Sequence, residues 1–204
     1  MLKTTTCKFI VYLMLLFTLF STSGCLYYTA RSLRTQVYGC KIETKLIKIT
    51  ARELIASDLD FYFKTNLNKS KIRAIQVNIF NQGAQAIVLD GRSIDLELED
   101  LETVASKMYY SVPLRVLLWT IPAIFFWPFF AVAGADGYNS WLQNKRIAED
   151  VDQKILTNNS KITIRPYSTI SRVMFIRESN YYNNFTLSFH KKEDKEPIDL
   201  FVTV

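Results

Sequence analysis

The stretch Ile72-Arg73-Ala74-Ile75-Gln76-Val77-Asn78-Ile79-Phe80, closing on Asn81-Gln82-Gly83, decides the fold class. Ile75, Val77 and Ile79 fall on one side and Ala74, Gln76 and Asn78 on the other. Period two is the pattern of a half-buried strand, and the triplet after it is turn-forming. The same alternation recurs on the N-terminal side. Residues 45–51 set Ile47 and Ile49 among charges, and residues 60–64 carry Phe61 and Phe63. Further on, residues 86–89 stop at the turn dipeptide Asp90-Gly91, and residues 93–99 alternate Ile94, Leu96 and Leu98 with Asp95, Glu97 and Glu99. Toward the C-terminus, residues 161–165, 171–177, 185–190 and 198–204 read as further strands.

Short strands at this spacing predict an antiparallel sandwich rather than a parallel α/β sheet. Val77-Asn78-Ile79-Phe80-Asn81-Gln82-Gly83, followed by a short apolar strand and a turn, resembles strands of immunoglobulin-like envelope domains. That resemblance implies architecture and no activity. The expectation is a mainly β protein, an antiparallel immunoglobulin-like β-sandwich over residues 42–204, with a hydrophobic helical hairpin and one amphipathic helix inserted at about 112–157. In that insertion Gly134-Ala135-Asp136-Gly137 reads as a break, with Asn139 or Ser140 capping the helix that follows. Trp141, Ala148, Val151 and Ile155, with Leu142, Ile147 and Leu156 beside them, form its apolar stripe. Lys145, Arg146, Glu149, Asp150 and Lys154 take the other face, with Asp150 and Lys154 a favourable i,i+4 pair.

The insertion begins with the second unusual element of the chain, residues 112–135, of which eighteen, from Val116 to Ala133, carry no charge. That length stands at the threshold for a membrane-spanning helix. A full span would put the flanking strands on opposite sides of a membrane, and both flanks hold similar numbers of Lys and Arg, so no charge bias orients it. Pro122 and Pro128 break or kink a helix, which allows a re-entrant dip of about one leaflet. The remaining reading is a buried or partner-binding apolar hairpin. Trp119, Phe125, Phe126, Trp127, Phe129 and Phe130 are a heavy aromatic load to bury. They are the candidate residues for contact with lipid or with a protein partner.

At the N-terminus, Lys3 and Lys8 flank Phe9-Ile-Val-Tyr-Leu-Met-Leu-Leu-Phe-Thr-Leu-Phe20, an apolar run of twelve, followed by Ser21-Thr22-Ser23-Gly24-Cys25. A basic flank, a short greasy core and small residues are the parts of a secretory signal. The run is too short to span ~30 Å of hydrocarbon. Ser23-Gly24-Cys25 resembles the lipobox of bacterial lipoprotein precursors, departing from it at Thr22, where an aliphatic residue is usual. The resemblance implies a signal peptide over 1–24, acylation of Cys25, and, with Leu26 rather than Asp after the cysteine, the periplasmic face of the outer membrane. Residues 25–41 are then a lipidated tether. Tyr27, Tyr28, Arg31 and Arg34 lie at a headgroup surface, or the segment packs on the domain as strand or turn.

Without Lys3 and Lys8 the net charge falls from +6 to about +4, and no basic patch or module points to nucleic acid. Cys40 is single if Cys25 is acylated; otherwise a Cys25–Cys40 disulfide is open in an oxidising compartment. No Cys/His spacing suggests zinc, no cofactor is expected, and the acids Asp95, Glu97, Glu99, Asp100 and Glu102 read as a solvated face. The single histidine, His190, falls on the polar side of a strand. No catalytic residues are singled out. The expected function is that of a lipid-anchored envelope protein with a structural or protein-binding role, in contact with membrane lipid through Cys25 and with an envelope protein partner. The alternatives are an envelope hydrolase acting on cell-wall or glycan material, or a two-span membrane protein.

Overall fold

The computed structural model describes residues 28–35, 39–64, 70–192 and 197–204. The signal segment, the lipobox-like residues and Cys25 lie outside them. The described chain builds two sheets. The first has five strands: β1 (Cys40–Glu43), β2 (Ile47–Glu53), β3 (Ile72–Asn81), β7 (Thr169–Arg177) and β5 (Ile155–Leu156), in that spatial order. The second is ordered β6 (Lys161–Ile164), β4 (Ile87–Asp90), β8 (Asn184–Lys191) and β9 (Pro197–Thr203). Every pairing is antiparallel except that of β5, which runs parallel to β7.

The strand of the opening stretch sits at the centre. β3 pairs with β2 through Ile49↔Ile79 and with β7 through Ile75↔Met174. Its Ile75, Val77 and Ile79 meet Leu89, Phe185, Leu187 and Phe189 of the second sheet, forming the core between the sheets. Asn81, at the end of β3, is fully buried and donates to the carbonyls of Gln85, Ile164 and Arg165 at 2.8, 3.2 and 3.1 Å. One amide thus ties the end of the central strand β3 to β6 of the second sheet.

Four α-helices are present among the described residues: α1 (Ala56–Phe63), α2 (Leu101–Ser106), α3 (Val112–Ala123) and α4 (Phe129–Lys154). Helix and strand are present in roughly equal amounts, so the expectation of a mainly β chain is corrected to a mixed α/β one with two antiparallel-rich sheets. Helices form a third layer. Leu59, Tyr62 and Phe63 of α1, Val104 of α2, and Ile147 and Val151 of α4 pack with Ala74, Val173 and Phe175 on the outer face of the five-stranded sheet. That sheet is therefore buried on both faces. Gln76 and Asn78, expected on a polar side, are both buried there, and their side-chain amides donate to the carbonyls of Arg34 at 2.7 Å and Thr35 at 3.0 Å. Buried amides need such partners.

Residues 60–64, expected as a strand, are helix and its terminus instead. Phe61 and Phe63 suggested period two, but the buried set Leu59, Tyr62 and Phe63 has spacing i, i+3, i+4. Phe61 turns outward under the guanidinium groups of Arg31, 4.3 Å from the ring centre, and Arg34, 5.4 Å away. Residues 93–99, also expected as a strand, keep the alternation without the ladder. Ile94, Leu96 and Leu98 are buried, yet the only bridge is Leu98↔Ile176.

The break expected at Gly134-Ala135-Asp136-Gly137 is absent, and α4 runs unbroken for 26 residues. Gly137 serves a close crossing rather than a turn. A Cβ there would stand 2.7 Å from Val116 Cγ2 of α3, so the missing side chain lets the two helices approach. The polar face expected for the amphipathic helix is also corrected in part. Asp150 and Lys154 are buried against the sheet, while Trp141, assigned to the apolar stripe, is exposed. The helix meets the sheet on one side only after Ser140, and its register is set by Ile147, Val151 and the i,i+4 ion pair.

Candidate functional site

The residues 112–135 form an apolar helical hairpin. Ser111 caps α3, its hydroxyl accepting from the Leu114 N–H at 3.4 Å, and Pro113 occupies the first turn, where its missing N–H costs nothing. Pro122 lies in the last turn of α3 and Pro128 immediately precedes α4, so the prolines mark the bend at the tip. At the base Asn144 clasps Tyr110 both ways, accepting from its N–H at 2.8 Å and donating to its carbonyl at 3.0 Å. Between base and tip, Asp136 of α4 accepts from Arg115 at 3.1 Å and from Trp119 Nε1 at 3.2 Å, both on α3. Trp119 stacks on Phe129 with centroids 6.0 Å apart, and Phe126 meets Phe129 edge-on, also at 6.0 Å.

The six aromatic candidates therefore divide. Trp119 and Phe129 fill the seam between the arms. Phe125 is 87% exposed and Trp127 76%, with Phe130 also exposed and Phe126 at the margin. Sequence reading missed part of the same surface: Leu114, Leu117, Leu118 and Ile121 on α3, Ile124 at the tip, and Tyr138 and Trp141 on α4 are all exposed. The spacing 114, 117, 118, 121 was the available signal, a helical stripe with nothing on the page of the sequence to bury it. From Val112 to Asn144 the only charged residues are Arg115 and Asp136, and these pair with each other. Among the described residues no helix is long and apolar enough to cross a membrane. The strands flanking the insertion, β4 and β6, pair directly, so both flanks stand on one side of whatever surface the hairpin meets.

Of the two placements open for the tether, residues 28–35 take the packed one. The Tyr28 N–H donates to Gln143 Oε1 at 3.1 Å, and its buried hydroxyl donates to Asp150. Asp150 also holds Lys154, whose ammonium lies 3.5 Å from the Tyr62 carbonyl and 5.3 Å from the centre of the Phe63 ring. Burial, and after it the hydrogen bond to Asp150, pushes the Tyr28 phenol far above its ordinary value. Its folded-state value is thus raised. The contribution to stability is intact below the unfolded value near pH 10, and it declines above that by at most about 1.4 kcal/mol per pH unit, because only the unfolded chain ionises. Tyr28→Phe is expected to shed that part of the alkaline loss, read from urea midpoints at pH 9 and pH 11. Equal losses in both proteins would contradict it.

The acidic cluster faces solvent as expected, with Asp95, Glu97, Asp100 and Glu102 exposed, and several of its carboxylates also clasp neighbouring segments. Asp95 accepts from the Thr186 N–H at 2.6 Å, Glu97 from Asn180 at 2.6 Å and Glu99 from Arg177 at 2.8 Å, while Asp100 caps α2 through the Thr103 N–H at 2.6 Å. These bonds replace the missing ladder of residues 93–99. The cap holds the Asp100 carboxyl below its usual range. His190 sits in β8 opposite Pro197, and Cys40 opens β1 with a free thiol. Among the described residues, no group of three His, Cys, Asp or Glu side chains is arranged to hold a metal ion. No protein-family model, no curated protein and no solved structure matches this chain.

Proposed function

We propose that the protein is a lipid-anchored component of a bacterial cell envelope, acylated at Cys25, with a structural or protein-binding role rather than a catalytic one. In this reading an immunoglobulin-like sandwich carrying an extra helical layer is the rigid body, and the exposed hairpin is its working surface. The observation that carries it is the immobilisation of Tyr28 on α4, three residues after the lipobox-like cysteine. A lipid on Cys25 would hold the body close against its membrane, with no long linker between. The lipobox-like Ser23-Gly24-Cys25 and the short apolar run before it support the same reading.

The test is intact mass and membrane fractionation of the wild type beside Cys25→Ala. The wild type is expected to begin at Cys25 with added acyl mass, and the variant to be released or left unprocessed. A wild-type chain that begins at Met1, or lacks acyl mass and still stays on the membrane, would overturn the reading.

A further inference from the structure

We propose that the hairpin of α3 and the first half of α4 inserts tip-first into a single lipid leaflet, down to the level of Tyr138 and Trp141. The occupant of the apolar surface is thus lipid, not a protein groove. This deepens the reading above, since an acylated Cys25 would enter the same leaflet.

Three features of the hairpin support lipid. The first is that most of its polar groups are satisfied from within, the N–H groups of Trp127 at the tip being the exception. Arg115 and Trp119 both donate to Asp136 across the seam, and the Thr120 hydroxyl folds back onto the Leu117 carbonyl at 2.8 Å. At the bend the N–H groups of Ile124, Phe125, Phe126, Phe129 and Phe130 each donate to a carbonyl inside the hairpin, at 3.0–3.4 Å, and Pro122 and Pro128 have no N–H to satisfy. Backbone in hydrocarbon must close its own hydrogen bonds; a surface meant for a protein partner has no such requirement.

The second feature is where the apolar residues lie. Leu114, Leu117, Leu118 and Ile121 cover the outer side of one arm, Phe130, Tyr138 and Trp141 that of the other, and Ile124, Phe125 and Trp127 the tip. A groove would cover one side, whereas lipid surrounds all of them. The third is the order along α4. At 1.5 Å per residue, Phe129 to Tyr138 spans ~14 Å, to Trp141 ~18 Å and to Lys145 ~24 Å. Apolar residues, then ring systems with polar edges, then cations follow the profile of one leaflet, ~15 Å of hydrocarbon beneath a headgroup layer.

The first described residue lies at the same level. Tyr28 meets α4 at Gln143, two residues beyond Trp141, and Cys25 is three residues upstream, a reach of at most ~11 Å. A single weak lipid signal holds a protein only marginally, and two acting together hold it stably.

The chain's three tryptophans all lie in the hairpin, at 119, 127 and 141, so its own fluorescence reads the depth. The processed full chain is mixed with phosphatidylethanolamine–phosphatidylglycerol vesicles whose acyl chains are brominated near the headgroup or near the methyl end. In W119F/W141F, Trp127 is expected to shift to the blue and to be quenched more by deep bromines. In W119F/W127F, Trp141 is expected to be quenched more by shallow ones. W127F alone, which leaves the Trp119–Phe129 seam intact, is expected to lose the deeply quenched component. Vesicle-bound protein whose Trp127 is unquenched at either depth overturns insertion while leaving the Cys25 reading in place. A deeply quenched Trp127 on a chain without acyl mass supports insertion and rejects the Cys25 reading. Light scattering at twice the monomer mass with Trp127 already blue-shifted before lipid is added overturns insertion, because a second copy then covers the tip.

Discussion

Asp150→Ala is expected to lower the unfolding free energy by about 3–5 kcal/mol, the usual cost of removing one partner from a buried ion pair. Asp150 and Lys154 are both buried under the N-terminal segment, and Asp150 is the acceptor for both Lys154 Nζ and the Tyr28 hydroxyl. Without the carboxylate, the ammonium keeps only the long contact to the Tyr62 carbonyl and the face of Phe63. The phenol is left without its acceptor as well. Asp150→Leu combined with Lys154→Met is expected to recover the part of the loss that the unpaired ammonium causes, because two apolar side chains of similar length need no counter-ion at that depth, while the phenol stays without its acceptor. Urea denaturation of the wild type, Asp150→Leu, Lys154→Met and the double variant closes the cycle, with Asp150→Ala measured beside them. A single-variant loss below about 1 kcal/mol would mean that water reaches the pair, and that Tyr28 is not locked to the helix as described.

The second large effect concerns the tip. Ile124→Ser/Phe125→Ser/Trp127→Ser is expected to weaken partition into phospholipid vesicles by at least about a thousandfold. Each large apolar side chain contributes about 1.5–3 kcal/mol on leaving water, and each 1.4 kcal/mol is a factor of ten. The comparison uses the chain from residue 26 onward, which retains every described element and removes the acyl contribution. These side chains are 75, 87 and 76% exposed, so the substitutions leave the fold within about 0.5 kcal/mol of the wild type. Unchanged circular dichroism and thermal midpoint verify that. A partition coefficient that falls by less than about tenfold would place the tip outside the lipid.

The two effects concern opposite ends of one helix. The C-terminal half of α4 is clamped between Tyr28, Phe63 and the sheet, and its last residue leads straight into β5, paired with β7. Its first half carries the hairpin. Softening the clamp at Asp150 therefore loosens the base from which the apolar surface projects, whereas changing the tip leaves the body as it was.

Alternation of apolar and polar residues was enough to locate several strands, because a side-chain period of two reports a sheet face wherever one side meets a core. β2, β3, β8 and β9 fall on alternating segments, and β4, β6 and β7 on short apolar runs, bounded by turn residues or continuously apolar. The uncharged run with its two prolines likewise marked the hairpin before any fold was known. Local pattern failed where partners distant in sequence settle the outcome. Phe61 and Phe63 alternate like a strand, but the outer face of β3 and β7 offers room for a helix carrying Leu59, Tyr62 and Phe63. Gly134 and Gly137 look like a break, yet the second is a crossing point whose purpose is visible only with Val116 opposite it. Gln76, Asn78, Asp150 and Lys154 read as solvent-facing because each is polar. Their burial depends on the carbonyls of Arg34 and Thr35, on the Tyr28 hydroxyl and on one another. By itself the sequence determined most of the strands, the apolar insertion and the lipobox-like N-terminus, since these are written in adjacent residues. Only the tertiary structure decided the helical layer, the buried charges and the outward face of the hairpin, because burial and hydrogen-bond satisfaction are properties of residues brought together from far apart.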